Sequence, residues 1–461
     1  MANMTTPKYG GLVLDIGNVL FMYSAVHVAA LSFRQLKNAL DSPAWYEYER
    51  GKVSKQDCDG QIAKDFGFDL NNWNDALNQL RASLQPNKDF IAAIRQLKLT
   101  YPELRVYGMT NMPKQDFEQL MPVIKNWGIF DEVYASSALG SRKPDIDSYE
   151  KFVGETNLSP EACIFVDDRL ENVIAAQSFG FQALLFKDTS STITSLHNLL
   201  GDPITRGHSY LQRNAKNLFS RITTGEIQKD NYGQLLILQC TGNRFGRSGK
   251  RGPLWNYFIG DPNFAETTYP FDSDTTALAM MVLDNVPAEE KELAMEKMLS
   301  NVSPDGLPLC WFAPSRPRIC HCISANVFRF FCLNDRGHQL PTAYDFFCRL
   351  LKTKAYLLGS RYYESPDWLL FILADLCAKR PNDEGLRELS RLVNLETKDR
   401  MGCDKDILST ALRLVASQTL GLPNPRDLKT ILDAQQVDGG WEKVWLWRYG
   451  KEKVKIGGGE S

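Results

Sequence analysis

The sequence has no surplus of charge. Across 461 residues, 53 Lys and Arg stand against 55 Asp and Glu, a net of -2. Nothing global therefore draws the chain to nucleic acid or to an anionic membrane, and partners have to be read from local sites. It also lacks the uninterrupted apolar run of about 18 residues that would cross a bilayer. The opening residues, MANMTTPKYGGLVLDIGNVLF, have neither the basic start nor the small-residue cleavage site of a secretory leader. Histidine is scarce, with five in all, and the ten cysteines are scattered. The tightest group, Cys320-His321-Cys322, lacks a second ligand pair at zinc spacing and reads as core packing. These absences predict a cytoplasmic protein with reduced thiols, no membrane span and no nucleic-acid partner.

What is present is a globular composition, 43% hydrophobic and 23% charged, on a chain too long for one ordinary core. Two domains of about 200 residues each follow. In the first 200 residues, the short apolar runs GLVLDIG, LRVYGMTN, EVYAS, ACIFVDD and ALLFKD alternate with amphipathic stretches. That alternation predicts a doubly wound α/β sheet with ligands at the carboxyl ends of its strands. Residues 22 to about 85 are helical and aromatic-rich and read as a helical cap inserted after the first strand. Beyond about residue 205 the strand signals vanish, and successive helices joined by Gly and Pro turns predict an all-α second domain over 201–461. GDPITRG near residue 201 reads as the linker, and the C-terminal KVKIGGGES as a frayed tail.

Four strand ends in the first domain carry polar residues in order: Asp15 in LDIGNVL, Thr110 and Asn111 in GMTNMP, Lys143 in SRKPD, and Asp167 with Asp168 in FVDDRLEN. A carboxylate can attack phosphorus, a hydroxyl and a lysine can hold phosphoryl oxygens, and a second acidic cluster can bind Mg²⁺. The set resembles the four motifs of the haloacid dehalogenase-like hydrolases over about residues 8–200. The resemblance implies Asp15 as nucleophile and Thr110, Asn111 and Lys143 as phosphate holders. It implies Asp15, the Gly17 carbonyl, Asp167, Asp168 and Glu171 as the Mg²⁺ side. One position departs from the pattern. Phosphatases of this superfamily carry a general acid two residues after the nucleophile, where this chain has Gly17. Loss of such an acid forfeits about 10²- to 10⁴-fold in rate. The run DDRLE also matches the DDxxE string of class I terpene synthases, yet it follows a strand here and has no companion metal motif.

In the second domain, FDSDTT (271–276) runs straight into the apolar segment ALAMMVL. Asp272 or Ser273 there could simply cap a helix. The string also has the parts needed to protonate an unactivated double bond: a carboxylic acid, a second carboxyl beside it, hydroxyls and abundant aromatics. Asp272-Ser273-Asp274-Thr275-Thr276 resembles the DxDTT motif of class II terpene cyclases, which implies Asp274 as the acid with Asp272 and Thr275 in support. QQVDGGW (435–441) resembles the QW motif of the α/α barrels in that family, and SPDGLPLCW (303–311) a degraded copy. Upstream, Arg244, Arg247, Lys250 and Arg251 lie among glycines in a basic loop suited equally to diphosphate binding and to plain solvation. Arg318, Arg361, His321 and Asn326 are weaker candidates.

Together the two halves resemble the drimane-type sesquiterpene cyclases, the drimenol and albicanol synthase group. That resemblance implies protonation-initiated cyclisation of farnesyl diphosphate to a bicyclic drimanyl product, with the N-terminal domain placed to remove the diphosphate. Gly17 leads us to expect a cyclised diphosphate or monophosphate as the main product, to be finished by downstream phosphatases or oxidases. Homo-oligomerisation is one way to wall off the cyclase pocket. Three alternatives stay open at this point: a phosphatase with a helical accessory domain, a non-catalytic prenyl-phosphate-binding protein, and a class I synthase using DDRLE.

Overall fold

The computed structural model describes residues 8–23, 30–214, 219–242, 252–260, 262, 269–403, 406–449 and 454–457, and the chain forms two compact units that divide between Asp202 and Pro203.

The first unit is built on five parallel strands: β1 (Gly11–Leu14), β4 (Arg105–Thr110), β5 (Glu132–Ala135), β6 (Cys163–Asp167) and β7 (Gln182–Leu185), in the order β5-β4-β1-β6-β7. The β1 strand is apolar throughout and fully buried, as a central strand covered on both faces must be. Its neighbours are β4 on one side and β6 on the other, with Leu14 level with Gly108 and Val166. The strand order therefore reverses at β1, and the crevice beyond its carboxyl end is where such sheets bind ligands. Helices α5 (Lys88–Thr100), α6 (Lys114–Asn126), the short α7 (Ser136–Leu139), α8 (Ile146–Thr156) and α9 (Leu170–Phe179) make the crossovers, and α10 (Thr189–Leu200) follows the last strand and packs on α5. A two-strand clamp, β2 (Phe21–Met22) on β3 (Gln85–Pro86), closes the neck of an inserted helical cap.

The cap comprises α1 (Phe33–Leu40), α2 (Pro43–Glu49), α3 (Lys55–Phe66) and α4 (Leu70–Ala82). Each helix starts on a side-chain cap, Ser32, Ser42, Ser54 and Asp69 in turn. Their apolar faces meet around Trp45, Tyr48, Ile62 and Trp73 in a small core of their own.

The second unit is dominated by helices: α11 (Pro203–Arg213), α12 (Asn231–Thr241), α13 (Ser273–Val282), α14 (Ala288–Leu299), α15 (His321–Leu333), α16 (Pro341–Lys352), α17 (Asp367–Lys379), α18 (Arg387–Arg400), α19 (Ile407–Thr419) and α20 (Pro425–Asp433). The segments Ser273–Met280, Cys322–Cys332 and Asp367–Ala374 are buried residue by residue, so α13, α15 and α17 form an inner row packed side by side. The more polar α14, α16 and α18 lie against that row.

Three details differ from the sequence reading. A four-stranded antiparallel sheet, in the order β10-β11-β8-β9, accompanies the helices. Its members β8 (Ser220–Ile222) and β9 (Ile227–Gln228) are too short to show a period of two. The expected frayed tail supplies β11 (Val454–Gly457), which pairs with β10 (Trp445–Tyr449) and buries Ile456. The expected linker is mostly helix, because Pro203 opens α11.

Two clamps hold the helical unit. Gln435 donates to the carbonyls of Pro203 and Gly439 at 2.9 and 3.0 Å and accepts from Arg206, while the Trp441 indole donates to Ile431 O at 2.8 Å. Gly439 (φ +96°) passes so close to Arg206 that a Cβ would lie 2.3 Å from its carbonyl oxygen. QQVDGGW thus ties α11 to the end of α20. The second clamp is ionic. Fully buried Arg413 on α19 bonds Asp367 on α17 at 2.9 Å and Asp427 on α20 at 3.1 Å, and Arg400 on α18 also grips Asp367. Removing one member strands a buried charge. Arg413→Met is expected to lower the unfolding free energy of this unit by about 3–5 kcal/mol, read from the urea midpoint. Breaking the exposed Glu388–Arg391 pair is expected to change it by less than about 1 kcal/mol.

Candidate functional site

Two polar clusters stand out, one in each unit. In the first, Asp15 follows β1, Thr110 ends β4 and Asp167 ends β6, so parallel pairing alone brings them together. Lys143 enters from the loop before α8 and is 1% exposed. Its ammonium donates to Asp15 Oδ1 at 2.7 Å, to Asp167 Oδ2 at 2.6 Å and to Met109 O at 2.6 Å. Burial works against that ammonium, but the two carboxylates outweigh it and hold its pKa above the usual lysine range. Burial pushes Asp15 up to about 7, with Lys143 opposing and Asp167 adding to the rise. Asp168 is likewise raised by burial and by Asp167, against a hydrogen bond from Asn18.

Oxygens of Asp15, Asp167 and Asp168 lie within 4.8 Å of one another, a set of hard donors that fits Mg²⁺. Asp167 Oδ1 already accepts from Arg169 N and Asn172 Nδ2, both at 2.9 Å. Its orientation is therefore fixed from behind. Glu171, expected with these acids, stands apart from them. It sits in the first turn of α9, where its side chain is 55% exposed and faces Arg169 at 3.6 Å. Asn111, expected to hold phosphate, is committed elsewhere: its amide exchanges two 2.8 Å bonds with the backbone of Lys143 and so sets the lysine in place.

Asp15, Thr110, Asn111, Lys143 and Asp168 line a cleft of about 800 Å³ between cap and sheet, floored by Asp15, Gly17, Thr110 and Lys143. A Cβ on Gly17 would approach nothing nearer than Asp15 Oδ2 at 4.0 Å, so the missing side chain leaves open space. Sequence reasoning passed over two cations in this cleft. Arg142 bonds cap residue Glu49 at 2.7 Å and Arg169 bonds cap residue Asp41 at 2.7 Å. Each sits next to a residue that was singled out, and adjacency was the signal. Cap side chains Phe33, Leu36, Leu40 and Trp45 form an apolar wall opposite the charges.

In the second unit, the two aspartates of FDSDTT stand in different surroundings. Asp272 is the N-cap of α13 and accepts from Thr275 N at 2.6 Å. Asp274, one residue into the helix, turns inward instead. Asn326 Nδ2 on α15 donates to its Oδ1 at 2.5 Å, and the Tyr363 hydroxyl donates to its Oδ2. The turn is pinned on several sides: Ser273 Oγ donates to Leu309 O at 2.6 Å, Ser273 N to Cys310 O at 2.9 Å, and Thr276 Oγ1 accepts from Trp255 N at 2.9 Å. SPDGLPLCW is thus the strip against which the acid turn is docked.

Burial raises both carboxyls. Asp272 goes up to about 8, with Thr275 N–H opposing and Asp274 adding. Asp274 goes up to about 6, held back by Tyr363, Asn326 and the positive charge of Arg329. Donated hydrogen bonds make Asp274 the stronger acid of the pair. Aromatic rings surround it: Tyr232 lies 6.3 Å from Tyr363, Trp368 5.1 Å from Tyr363, and Tyr257 stacks on Tyr232 at 5.5 Å. A buried acid in such a shell can give a proton to an apolar molecule and stabilise the resulting cation on ring faces. Tyr232 and Arg329 went unseen as site residues and Tyr363 counted only among the abundant aromatics, since nothing in sequence places them beside position 274. Arg244, Arg247, Lys250 and Arg251 lie outside the described residues.

Residues 204–334 match the sesquiterpene cyclase astC-like C-terminal domain, and residues 35–186 match the haloacid dehalogenase-like hydrolases. The drimenol cyclase drtB of Aspergillus calidoustus is 33% identical over 443 residues, 95% of this chain and 83% of that protein. The sesquiterpene phosphatase astK of Aspergillus oryzae (strain ATCC 42149 / RIB 40) is 35% identical over 189 residues, 41% of this chain and 95% of that protein. The chloroplastic flavin mononucleotide hydrolase 1 of Arabidopsis thaliana is 25% identical over 171 residues, 37% of this chain and 67% of that protein.

Lys143→Met leaves Asp15 and Asp167 buried without their cation. In metal-free buffer at pH 8 it is expected to cost the first unit about 3–5 kcal/mol of unfolding free energy. The loss should be smaller at pH 5, where Asp15, already raised by burial and now without Lys143 opposing, takes up a proton that neutralises it. Urea unfolding at the two pH values measures both.

Proposed function

Because the chain belongs to the drimenol cyclase family and carries a haloacid dehalogenase-like domain, we propose that it cyclises farnesyl diphosphate by class II chemistry to a drimane-type bicyclic diphosphate of the albicanyl or drimenyl type. The observation that carries the reading is Asp274, buried in the first turn of α13 with a hydrogen bond donated to each carboxyl oxygen. Its O–H proton goes to the distal double bond. The π electrons form the new C–H bond, ring closure follows, and loss of a proton from the bicyclic cation restores an alkene. Asp272 fixes the turn that aims Asp274, and the aromatic shell excludes water from the cation.

The N-terminal unit is the phosphate-handling half of this reading. Asp15 is its nucleophile, Lys143 and Thr110 face the phosphoryl oxygens, and Arg142 and Arg169 add positive charge to the cleft. Asp15, Asp167 and Asp168 would hold Mg²⁺, which would neutralise phosphoryl charge when bound. With Gly17 in place of an acid, no carboxyl stands two residues beyond the nucleophile to protonate the leaving group. A cyclised diphosphate or monophosphate is therefore the expected main product.

Mass spectrometry of phosphorylated and neutral products from farnesyl diphosphate and Mg²⁺ tests both halves. Wild type is expected to give a bicyclic phosphorylated product, and Asp274→Asn to lose it by about 10³-fold or more. Linear farnesol from both proteins would overturn the cyclase reading. Gly17→Asp is expected to raise phosphate release by about 10²-fold with cyclisation unchanged. An unchanged release would show that a missing acid is not what limits it. Cyclisation should also fall as pH rises through about 6, because Asp274 acts only while it keeps its proton.

A further inference from the structure

Resting on the cyclase reading, we infer that Tyr363, with Tyr232 bonded behind it, is the positioning residue that makes Asp274 acidic enough to protonate an alkene. The argument starts from burial. A carboxyl with no water around it is a poor acid, since its anion is poorly solvated. In the first unit the same difficulty is met by Lys143, but a lysine bonded to Asp274 would hold it as carboxylate and remove the proton the reaction needs. Asp274 instead receives neutral donors, Asn326 Nδ2 on one oxygen and the Tyr363 hydroxyl on the other. Such donors strengthen as negative charge develops, so they favour the state after proton transfer while leaving the carboxyl protonated before it.

Tyr363 is well placed to do this. It is 1% exposed, its backbone N–H is fixed by Ser360 Oγ at 2.9 Å, and its ring packs on Trp368 at 5.1 Å. Its hydroxyl also bonds that of Tyr232 on α12, which lies near Arg329. The contact with a second phenol holds the Tyr363 ring in place, with its hydroxyl turned toward Asp274. The groups that act electrostatically with Asp274 include Asp272 on its own element, Tyr232 on α12, Tyr257 ahead of α13, Cys310 in the strip before α15, Cys322 and Arg329 on α15 itself, and Tyr363. Both cysteines are held as thiols by burial. Arg329 spends its charge partly on Asp375 at 3.0 Å. Tyr363 is thus the donor whose loss changes Asp274 most directly without changing the local net charge.

The test is Tyr363→Phe, assayed for bicyclic product over pH 5–9 beside wild type and Tyr232→Phe. The expected result is a kcat lower by about 10- to 100-fold with KM unchanged. The basic limb of its pH profile should also move to higher pH, because a less stabilised anion holds its proton longer. Tyr232→Phe is expected to shift the limb in the same direction by less. A lower kcat with the limb unmoved would make Tyr363 mere packing and overturn the inference, as would an unchanged kcat. Should Tyr363→Phe fail to fold, the Tyr232→Phe limb decides by the same criterion. Failure of the underlying cyclase reading looks different: wild type itself then gives no bicyclic product.

Discussion

Desolvation of carboxylates is the constraint around which this protein is built. A buried carboxyl must find a cation, find neutral donors or keep its proton, and the chain uses each solution in a different place. Asp367 and Asp427 are paired with Arg413 and Arg400, which turns the cost into a clamp across four helices. Asp15 and Asp167 share Lys143, which keeps a dense acidic cluster stable. Asp274 is bonded, among the described residues, by an amide and a phenol. Under the proposed function, that difference in partner separates a structural carboxylate from a phosphate-site carboxylate, and both from an acid.

The same constraint explains why the two chemistries sit in separate units. Phosphoryl transfer needs concentrated charge: an ammonium, guanidinium groups and hard oxygen donors around a polar crevice at strand ends. Alkene protonation needs the opposite, a single acid in a dry aromatic shell where neither the carboxylate nor the cation is quenched. One pocket cannot be both. Gly17 is where the proposed phosphate site departs from the haloacid dehalogenase-like pattern, and the open space beside it shows that packing does not demand the glycine.

Much of this was legible in the residues. The five strands announced themselves as apolar runs because central parallel strands are buried on both faces, and their polar ends marked the crevice because a parallel sheet gathers its carboxyl ends. FDSDTT and QQVDGGW could be singled out because each packs its chemistry into six or seven consecutive residues. The reading went astray where a role depends on a partner far away in sequence. Glu171 and Asn111 have suitable side chains in suitable motifs, yet helix phase turns one outward and Lys143 occupies the other. The two- and three-residue strands of the C-terminal sheet were invisible because they are shorter than any period that could reveal them.

The chain's local order thus determined its two units, the strand-end acids and the paired aspartates, since propensity, periodicity and motif spacing act between near neighbours. Only the folded structure decided which carboxyl meets which donor. Tyr363 lies 89 residues from Asp274 and Asn326 lies 52 away, and it is the side-by-side packing of α13, α15 and the segment before α17 that brings them within bonding distance. Acidity is a property of that environment, and no stretch of sequence carries it alone.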